Sequence, residues 1–471
     1  MKLGICRKAV LTISMLLCIG SVLATDNVEI CDKIDSIVKN QLPEGTDASI
    51  MVYDLTNDTC IYDYRKDVLC RPASVMKILT STTALSCLGS NFTFDTKLCI
   101  TGTVDADSTL HGDLYVVGDL DPAFTEQDMR GMIIDLKNAG IKKINGSVIA
   151  DVTIMDSVYW GSGWCWDDAP SSFQPYISPL MVHEGFVTVS VKPTSKGEAP
   201  TVNIYPSNRF IKVVNTALTN DNTLGSLNIS RDWINNDNTI IISGSCTKTQ
   251  AKELSVVGSA DFFFSLFKES LSDYGIIAEN FGWGKCPSSA DVIVTVSHGL
   301  KPIINEALKE SNNLYAEAMF LQLGRLSNPD GVTFKDAAEY EELFIRRTLK
   351  NKKASFNIAD GCGLSMYDYV SSTLVVDMLK HIYKNSLLYD VLYECLPVSG
   401  IDGTLRGRLA TSKTTGKIRA KTGSVTGSCT LAGYAEGSDG RLFAFCIMNE
   451  GAIKMAPSRK VQDAICHAIC E

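Results

Sequence analysis

Histidine is scarce and poorly placed for metal chemistry. The five residues, His111, His183, His298, His381 and His467, are scattered, and no Cys-x-x-Cys occurs, so the common ligand spacings of zinc sites are missing. Asp119-Leu120-Asp121 lacks the Gly and Glu of a calcium loop and reads as a polar turn ahead of Pro122. No metal or cofactor is therefore expected. Positive charge is short too: 44 Lys and Arg face 53 Asp and Glu, for a net charge of -9, which argues against nucleic acid as a partner. Apart from the N-terminus, no apolar run approaches the roughly 20 residues that span a bilayer. The remainder is globular in composition, 45% hydrophobic and 21% charged. At 471 residues the chain exceeds one ordinary core, and about 150 residues per domain suggests two or three.

The N-terminus has its own character. Lys2, Arg7 and Lys8 precede an apolar run from Ala9 to Ala24 that ends in Val22-Leu23-Ala24, the layout of a secretory signal peptide cut after Ala24. Residues 1–24 are read as that leader, and the mature protein as exported across the inner membrane to the periplasm or cell envelope, with no membrane span. Losing three cations shifts the net charge from -9 to -12. Losing Cys6 and Cys18 leaves fourteen of sixteen cysteines in a compartment that permits disulfides. Cys60 with Cys70, and Cys31 with Cys466 or Cys470, are the candidate pairs; single buried thiols are the alternative.

Periodicity organises the rest. Val28, Ile30, Ile34, Ile37, Val38 and Leu42 form a helical stripe, and Val461, Ile465 and Ile469 form another at the C-terminus. Alternating runs 48–53 and 59–64, joined by Asn57-Asp58, predict a hairpin. Residues 417–436 and 441–448 predict two more strands linked by Gly437-Ser438-Asp439-Gly440. A helix is expected from Ser74 to Leu88, stopped by Gly89, one opened by Pro302, and one from Leu314 to Leu326. Residues 91–259 differ, with short strands, Gly-Asp and Asn-Gly turns, and Trp160, Trp164 and Trp166 close together. The reading is an α/β (α+β) catalytic domain, an antiparallel sheet covered by helices, made from residues 25–90 and 260–471. It is interrupted by a mostly β insertion of one or two accessory domains, 91–259.

Three short strings carry chemistry: Ser74-Val75-Met76-Lys77, Ser311-Asn312-Asn313 and Lys421-Thr422-Gly423. Each alone is cheap, since Ser-x-x-Lys recurs at Ser36 to Lys39 and at Ser265 to Lys268. Their order and context make them specific. A serine hydroxyl needs a base, and a lysine three residues on along a helix lies on the same face, so Lys77 can reach Ser74. Lys77 must be neutral for this, and burial or a cation such as Lys421 would lower its pKa. Ser311 suits proton relay and Asn313 a substrate amide. Lys421 supplies a cation for a carboxylate, Thr422 a hydroxyl, and Gly423 room for a ligand backbone; the N–H groups of Ser74 and Ser424 suit an oxyanion hole. The plain alternatives are an N-cap serine, a solvated lysine, loop capping and an ordinary strand.

The set resembles the active-site serine penicillin-binding protein and β-lactamase superfamily. Residues 311–317 (SNNLYAE), 360–365 (DGCGLS), 400–405 (GIDGTL) and 419–424 (RAKTGS) are similar to the class C, low-molecular-mass penicillin-binding proteins, the D-alanyl-D-alanine carboxypeptidase/endopeptidase family. That resemblance implies a β-lactamase/transpeptidase-like fold, Ser74 as acylated nucleophile, Lys77 as base, Ser311 as proton shuttle, Asn313 as substrate-amide ligand, and Lys421 with Thr422 as carboxylate anchors. It implies peptidoglycan stem peptides as substrates and β-lactams as inhibitors. Asn312 departs from the usual Asp and Cys362 from the usual Ser, neither a catalytic group. A β-lactamase or esterase of the same fold is the alternative, though no Glu is evidently positioned for deacylation; a non-catalytic wall-binding scaffold is another.

Overall fold

The computed structural model describes residues 27–221, 223–350 and 354–471, and the leader expected over 1–24 lies outside them. The chain divides into two compact units. One comprises residues up to Ile78, Lys353–Phe356 and Tyr369–Glu471; the other comprises Leu79–Lys352 and Asn357–Asp368.

The first unit is built on a five-stranded antiparallel sheet drawn from both ends of the chain. The strand order is Ile418–Val425, Gly427–Glu436, Leu442–Ala452, Asp47–Asp54, Thr59–Tyr64. The inner strands are buried along nearly their whole length, polar residues such as Ser49, Ser428 and Thr430 included, so both faces of the sheet are covered. The helices at 27–41 and Met455–Cys470 press Ile30, Ile34, Val461, Ile465 and Ile469 onto Ile50, Val52, Leu431, Phe445 and Ile447. Each such side chain contributes about 1.5–3 kcal/mol on burial. Helix Ser372–Lys384 packs against the sheet as well, tied by Tyr434, whose hydroxyl donates to the Leu379 carbonyl at 2.8 Å. Terminal stripes on one sheet are thus the observed solution.

Two expectations are corrected. Residues 417–436 do not form one strand: the ladder turns at Thr426-Gly427, where Gly427 has φ 84°, and Val425 pairs with Ser428. The left-handed backbone favours glycine there, and a Cβ would also lie 2.8 Å from the tip of the Arg71 guanidinium. The cysteine pairs do not form either, since all fourteen described cysteines are free thiols. Cys31, for instance, donates its Sγ–H to the Ile61 carbonyl at 2.9 Å.

The second unit holds a mixed seven-stranded sheet and smaller sheets. Its core is filled by Met129, Met132, Ile133 and Leu136 of helix Glu126–Asn138 and by Phe262, Phe263 and Phe267 of helix Ser259–Asp273. Three further helices follow: Leu300–Lys309, Asn313–Arg325 and Phe334–Thr348. Pro302 sits in the first turn of its helix rather than opening it, a position where its missing N–H removes no helical bond. Among the described residues no helix is long and apolar enough to cross a membrane.

Candidate active site

Ser74 lies in a 3-10 turn, Ala73–Val75, that feeds directly into the α-helix Met76–Leu88. The segment before it is fastened to the sheet at each residue. The Arg71 N–H and guanidinium donate to the two Glu450 carboxylate oxygens at 2.7 and 2.9 Å. Ser428 Oγ donates to the Arg71 carbonyl at 2.8 Å, and Thr430 Oγ1 to the Pro72 carbonyl at 2.7 Å. Ala73, beside the serine, is held at φ 46°, a left-handed conformation that costs a residue with a Cβ on the order of 1–3 kcal/mol. The surrounding bonds over-determine that geometry. One turn on, Lys77 is fully buried and its Nζ donates to Ser74 Oγ at 3.0 Å. The pair is at the distance proton transfer needs.

Strand Ile418–Val425 forms the edge of the five-stranded sheet and carries the third string. Lys421 is wholly buried, and its Nζ donates to the Thr422 carbonyl at 2.9 Å. Burial, and then the charge of Lys77, push the Lys421 ammonium pKa well below its ordinary value. Gly423 closes the gap between the strand and Ser74: a Cβ there would lie 2.9 Å from the backbone nitrogen of Ser74 and 2.1 Å from Thr430 Oγ1. Thr422 Oγ1 donates to Thr404 Oγ1 at 2.8 Å, while the exposed Ser424 receives the Arg459 guanidinium at 3.4 Å.

In the second unit, Ser311 occupies the link between helices Leu300–Lys309 and Asn313–Arg325 and has φ 65°. Asn312 caps the second helix, accepting from Leu314 N–H at 3.1 Å, and its Nδ2 donates to Glu184 Oε2 at 2.6 Å. Asn313 Nδ2 donates to the Phe173 carbonyl at 2.6 Å. Burial raises the Glu184 carboxyl pKa, partly offset by the bond from Asn312. Glu184 and the preceding His183 both have positive φ, 55° and 51°.

The loop at 360–365 is organised around two buried carboxylates of the same unit. Glu317 accepts from the N–H groups of Gly361 and Cys362 at 3.0 and 2.8 Å. Asp360 accepts from Gly363 and Ser365 N–H at 2.6 and 2.7 Å and from the Trp164 indole at 2.8 Å. Thr80 Oγ1 adds a bond to the Gly361 carbonyl at 2.8 Å. Glu317, Asp360 and Cys362 are the one cluster among the described residues with donor atoms close enough to share a metal ion. Their carboxylate oxygens already accept N–H bonds, which makes the cluster a loop anchor.

The D-Ala-D-Ala carboxypeptidase 3 (S13) family matches residues 30–469. The chain belongs to this family. It is a serine hydrolase, a D-alanyl-D-alanine carboxypeptidase of the S13 group. Among its relatives, the D-alanyl-D-alanine carboxypeptidase of Actinomadura sp. (strain R39) is 29% identical over 463 residues, covering 94% of this chain and 85% of the relative. The fold is that of the Haemophilus influenzae penicillin binding protein 4 (dacB), with a TM-score of 0.82 at 23% identity over 92% of this chain and 97% of the other. A second structure of that protein, complexed with a novel β-lactam, matches with a TM-score of 0.75 at 22% identity, over 93% of this chain and 99% of the other.

In this S13 chain, Ser74, Lys77, Lys421, Thr422 and Gly423 come together within the first unit, and Ser424 follows them on the same strand. Ser311 and Asn313 belong to the second unit. Sequence reasoning missed the residues that hold these groups: Glu450, Ser428 and Thr430 under the Ser74 turn, Thr404 beside Thr422, and Glu184 beside Asn312. Thr404 alone carried a signal, because it lies in one of the segments shared with the family. The others act across long sequence separations that no local pattern records.

Proposed function

We propose that this carboxypeptidase works through an acyl-enzyme on Ser74, with peptidoglycan stem peptides as substrates. Lys77 takes the Ser74 proton as Oγ attacks the carbonyl of the penultimate D-alanine. The N–H groups of Ser74 and Ser424 receive the oxyanion. Ser311 passes a proton to the departing terminal D-alanine, and Asn313 holds a substrate amide. Lys421 and Thr422 grip the terminal carboxylate, and Gly423 admits the peptide to the edge strand. Water then releases the acyl group. The observation that carries this reading is the 3.0 Å contact between Lys77 Nζ and Ser74 Oγ beside a buried Lys421.

The same acyl-enzyme would cleave D-alanyl cross-links as an endopeptidase, and β-lactams would acylate Ser74. The β-lactam complex of the Haemophilus protein supports that extension. We assign residues 1–24 to an export signal, the mature chain to the periplasm or cell envelope, residues 25–90 with 260–471 to the catalytic domain, and 91–259 to inserted accessory structure. Support for the catalytic assignment comes from the sheet built by both chain ends.

Mature protein incubated with a labelled penicillin and with a pentapeptide muropeptide tests the mechanism. Stable label on Ser74 and released D-alanine, both abolished in Ser74→Ala, are expected. Rapid penicillin turnover would favour a β-lactamase, and an inert wild type a scaffold.

A further inference from the structure

We infer that a pocket walled by Trp160, Trp166, Tyr176 and Trp233 binds a pyranose ring of an N-acetylated glycan chain, separately from the peptide chemistry. The inference rests on the cell-wall reading above for the source of the glycan. The pocket lies wholly within the second unit and measures about 300 Å³, at the small end for ligand sites.

Its walls are rigid aromatic pairs. Trp166 and Trp233 have ring centroids 4.6 Å apart at 60°, and Trp160 meets Tyr176 at 5.1 Å and 75°. Tyr176 is fixed in turn, its hydroxyl donating to Asn236 Oδ1 at 2.7 Å. Despite this ordering Trp166 is 65% exposed, Trp160 43% and the neighbouring Ile234 73%. Large apolar rings held firm yet left in water are an arrangement that folding alone does not favour.

A second observation points to a ligand. Gln174 lines the pocket, is only 7% exposed, and its buried Oε1 has no hydrogen-bond partner among the described residues. A buried polar atom in that state is unfavourable until a donor reaches it. The donor must arrive with a flat apolar body and without charge, because every lining residue is uncharged. Those requirements exclude a phosphate or an anionic peptide and describe a neutral sugar: its C–H face lies on an indole, and its hydroxyl or acetamide N–H meets the amides of Gln174 and Asn236. The acetamide methyl suits the apolar edge offered by Ile234.

The test uses the mature full chain and a trisaccharide of β-1,4-linked N-acetylglucosamine as probe, read by tryptophan fluorescence and calorimetry. Saturable binding is expected, weakened at least about tenfold in Trp166→Ala/Trp233→Ala, with D-alanine release from a sugar-free pentapeptide unchanged in that variant. Gln174→Leu should weaken binding of the acetylated trisaccharide more than that of maltotriose. Absence of binding up to about 10 mM, or equal binding by the double tryptophan variant with its thermal midpoint intact, would overturn the inference. Peptide activity is read independently, so a failed sugar result leaves the peptidase reading standing, and an inert peptide assay counts against that reading alone.

Discussion

Thr430 and Gly423 face each other across one antiparallel rung, and between them they seat Ser74. Thr430 donates to the Pro72 carbonyl at 2.7 Å, while Gly423 leaves its own Cβ position open to Thr430 and to the Ser74 nitrogen. The pairing of two strands therefore sets where a serine from the far end of the chain sits. Three hundred and more residues of intervening chain do not disturb this geometry, because the rung is fixed by the sheet's own ladder.

Replacing Gly423 by alanine should uncouple that seat. The new methyl would meet backbone at 2.9 Å on the Ser74 side and Thr430 Oγ1 at 2.1 Å. Relief requires the strand or the 3-10 turn to shift, and a displacement of about 1 Å near reacting groups costs about a hundredfold in rate. Penicillin acylation of Gly423→Ala should fall on that scale while overpacking removes about 1–3 kcal/mol of stability. Wild-type acylation kinetics in the variant would refute this seating.

Burying Lys421 costs the fold stability. Its folded pKa is depressed by burial first and by Lys77 second, so the folded protein binds fewer protons than the unfolded chain between that depressed value and 10.5. Stability therefore rises with pH toward 10.5, and the destabilisation is greatest below the depressed folded value. Lys421→Met should melt higher than wild type at pH 6, by a margin that shrinks as pH approaches 10. The same variant should lose substrate capture worth about 1.5–3 kcal/mol, the value of a charge-assisted bond to a carboxylate. Paired melting curves and kcat/KM on a pentapeptide check both halves.

How far the chain was legible follows from the range of each interaction. Helical stripes at Ile30, Ile34 and Val38 and at Val461, Ile465 and Ile469 are local patterns, and both helices appear with their apolar faces on one sheet. The hairpin at 59–64 was legible from its turn residues. The turn at Thr426-Gly427 was not, because Val425-Thr426-Gly427-Ser428 continues a strand-like composition and a single glycine does not reveal the left-handed backbone it adopts. Ser74 and Lys77 were legible because a helical turn brings them together. Glu450, Thr430 and Glu184 were not, since each owes its position to folding. Cysteine count and compartment suggested disulfides, yet burial in apolar surroundings accounts for thiols such as Cys446 and Cys466, whose pKa values burial raises well above the ordinary thiol range.

A half-buried ion pair in the second unit gives a pH signature. His298 Nδ1 lies 2.7 Å from Asp121 Oδ2, with Asp128 at 3.9 Å from its Nε2. The bond to Asp121, chiefly, raises the His298 pKa above its ordinary 6.5, against the opposing effect of burial. A raised histidine stabilises fully below 6.5, and the contribution fades as pH climbs through the folded value. His298→Asn should therefore cost about 1–3 kcal/mol at pH 6 and less at pH 9. Denaturant melts at the two pH values measure the difference, and an equal loss at both would contradict a titrating pair.

Asn312, at a position where the family resemblance implies Asp, faces the half-buried Glu184. Its Nδ2 donates to Glu184 Oε2 at 2.6 Å, and burial already raises the Glu184 carboxyl pKa. Aspartate at 312 would set two carboxylates at hydrogen-bond distance, so one must keep a proton or the two repel. Raised carboxyl pKa values mean a fold favoured at low pH and weakened as pH rises through them. Asn312→Asp should therefore be near wild type at about pH 4 and lose roughly 1–3 kcal/mol by pH 8, with slower D-alanine release because Ser311 directly precedes the altered cap. Adding Glu184→Gln restores a donor facing the new carboxylate and should recover most of both losses. A double-mutant cycle on melting and turnover reads the coupling, expected at about 0.5–3 kcal/mol. Additive losses would mean that Glu184 does not set the identity of residue 312.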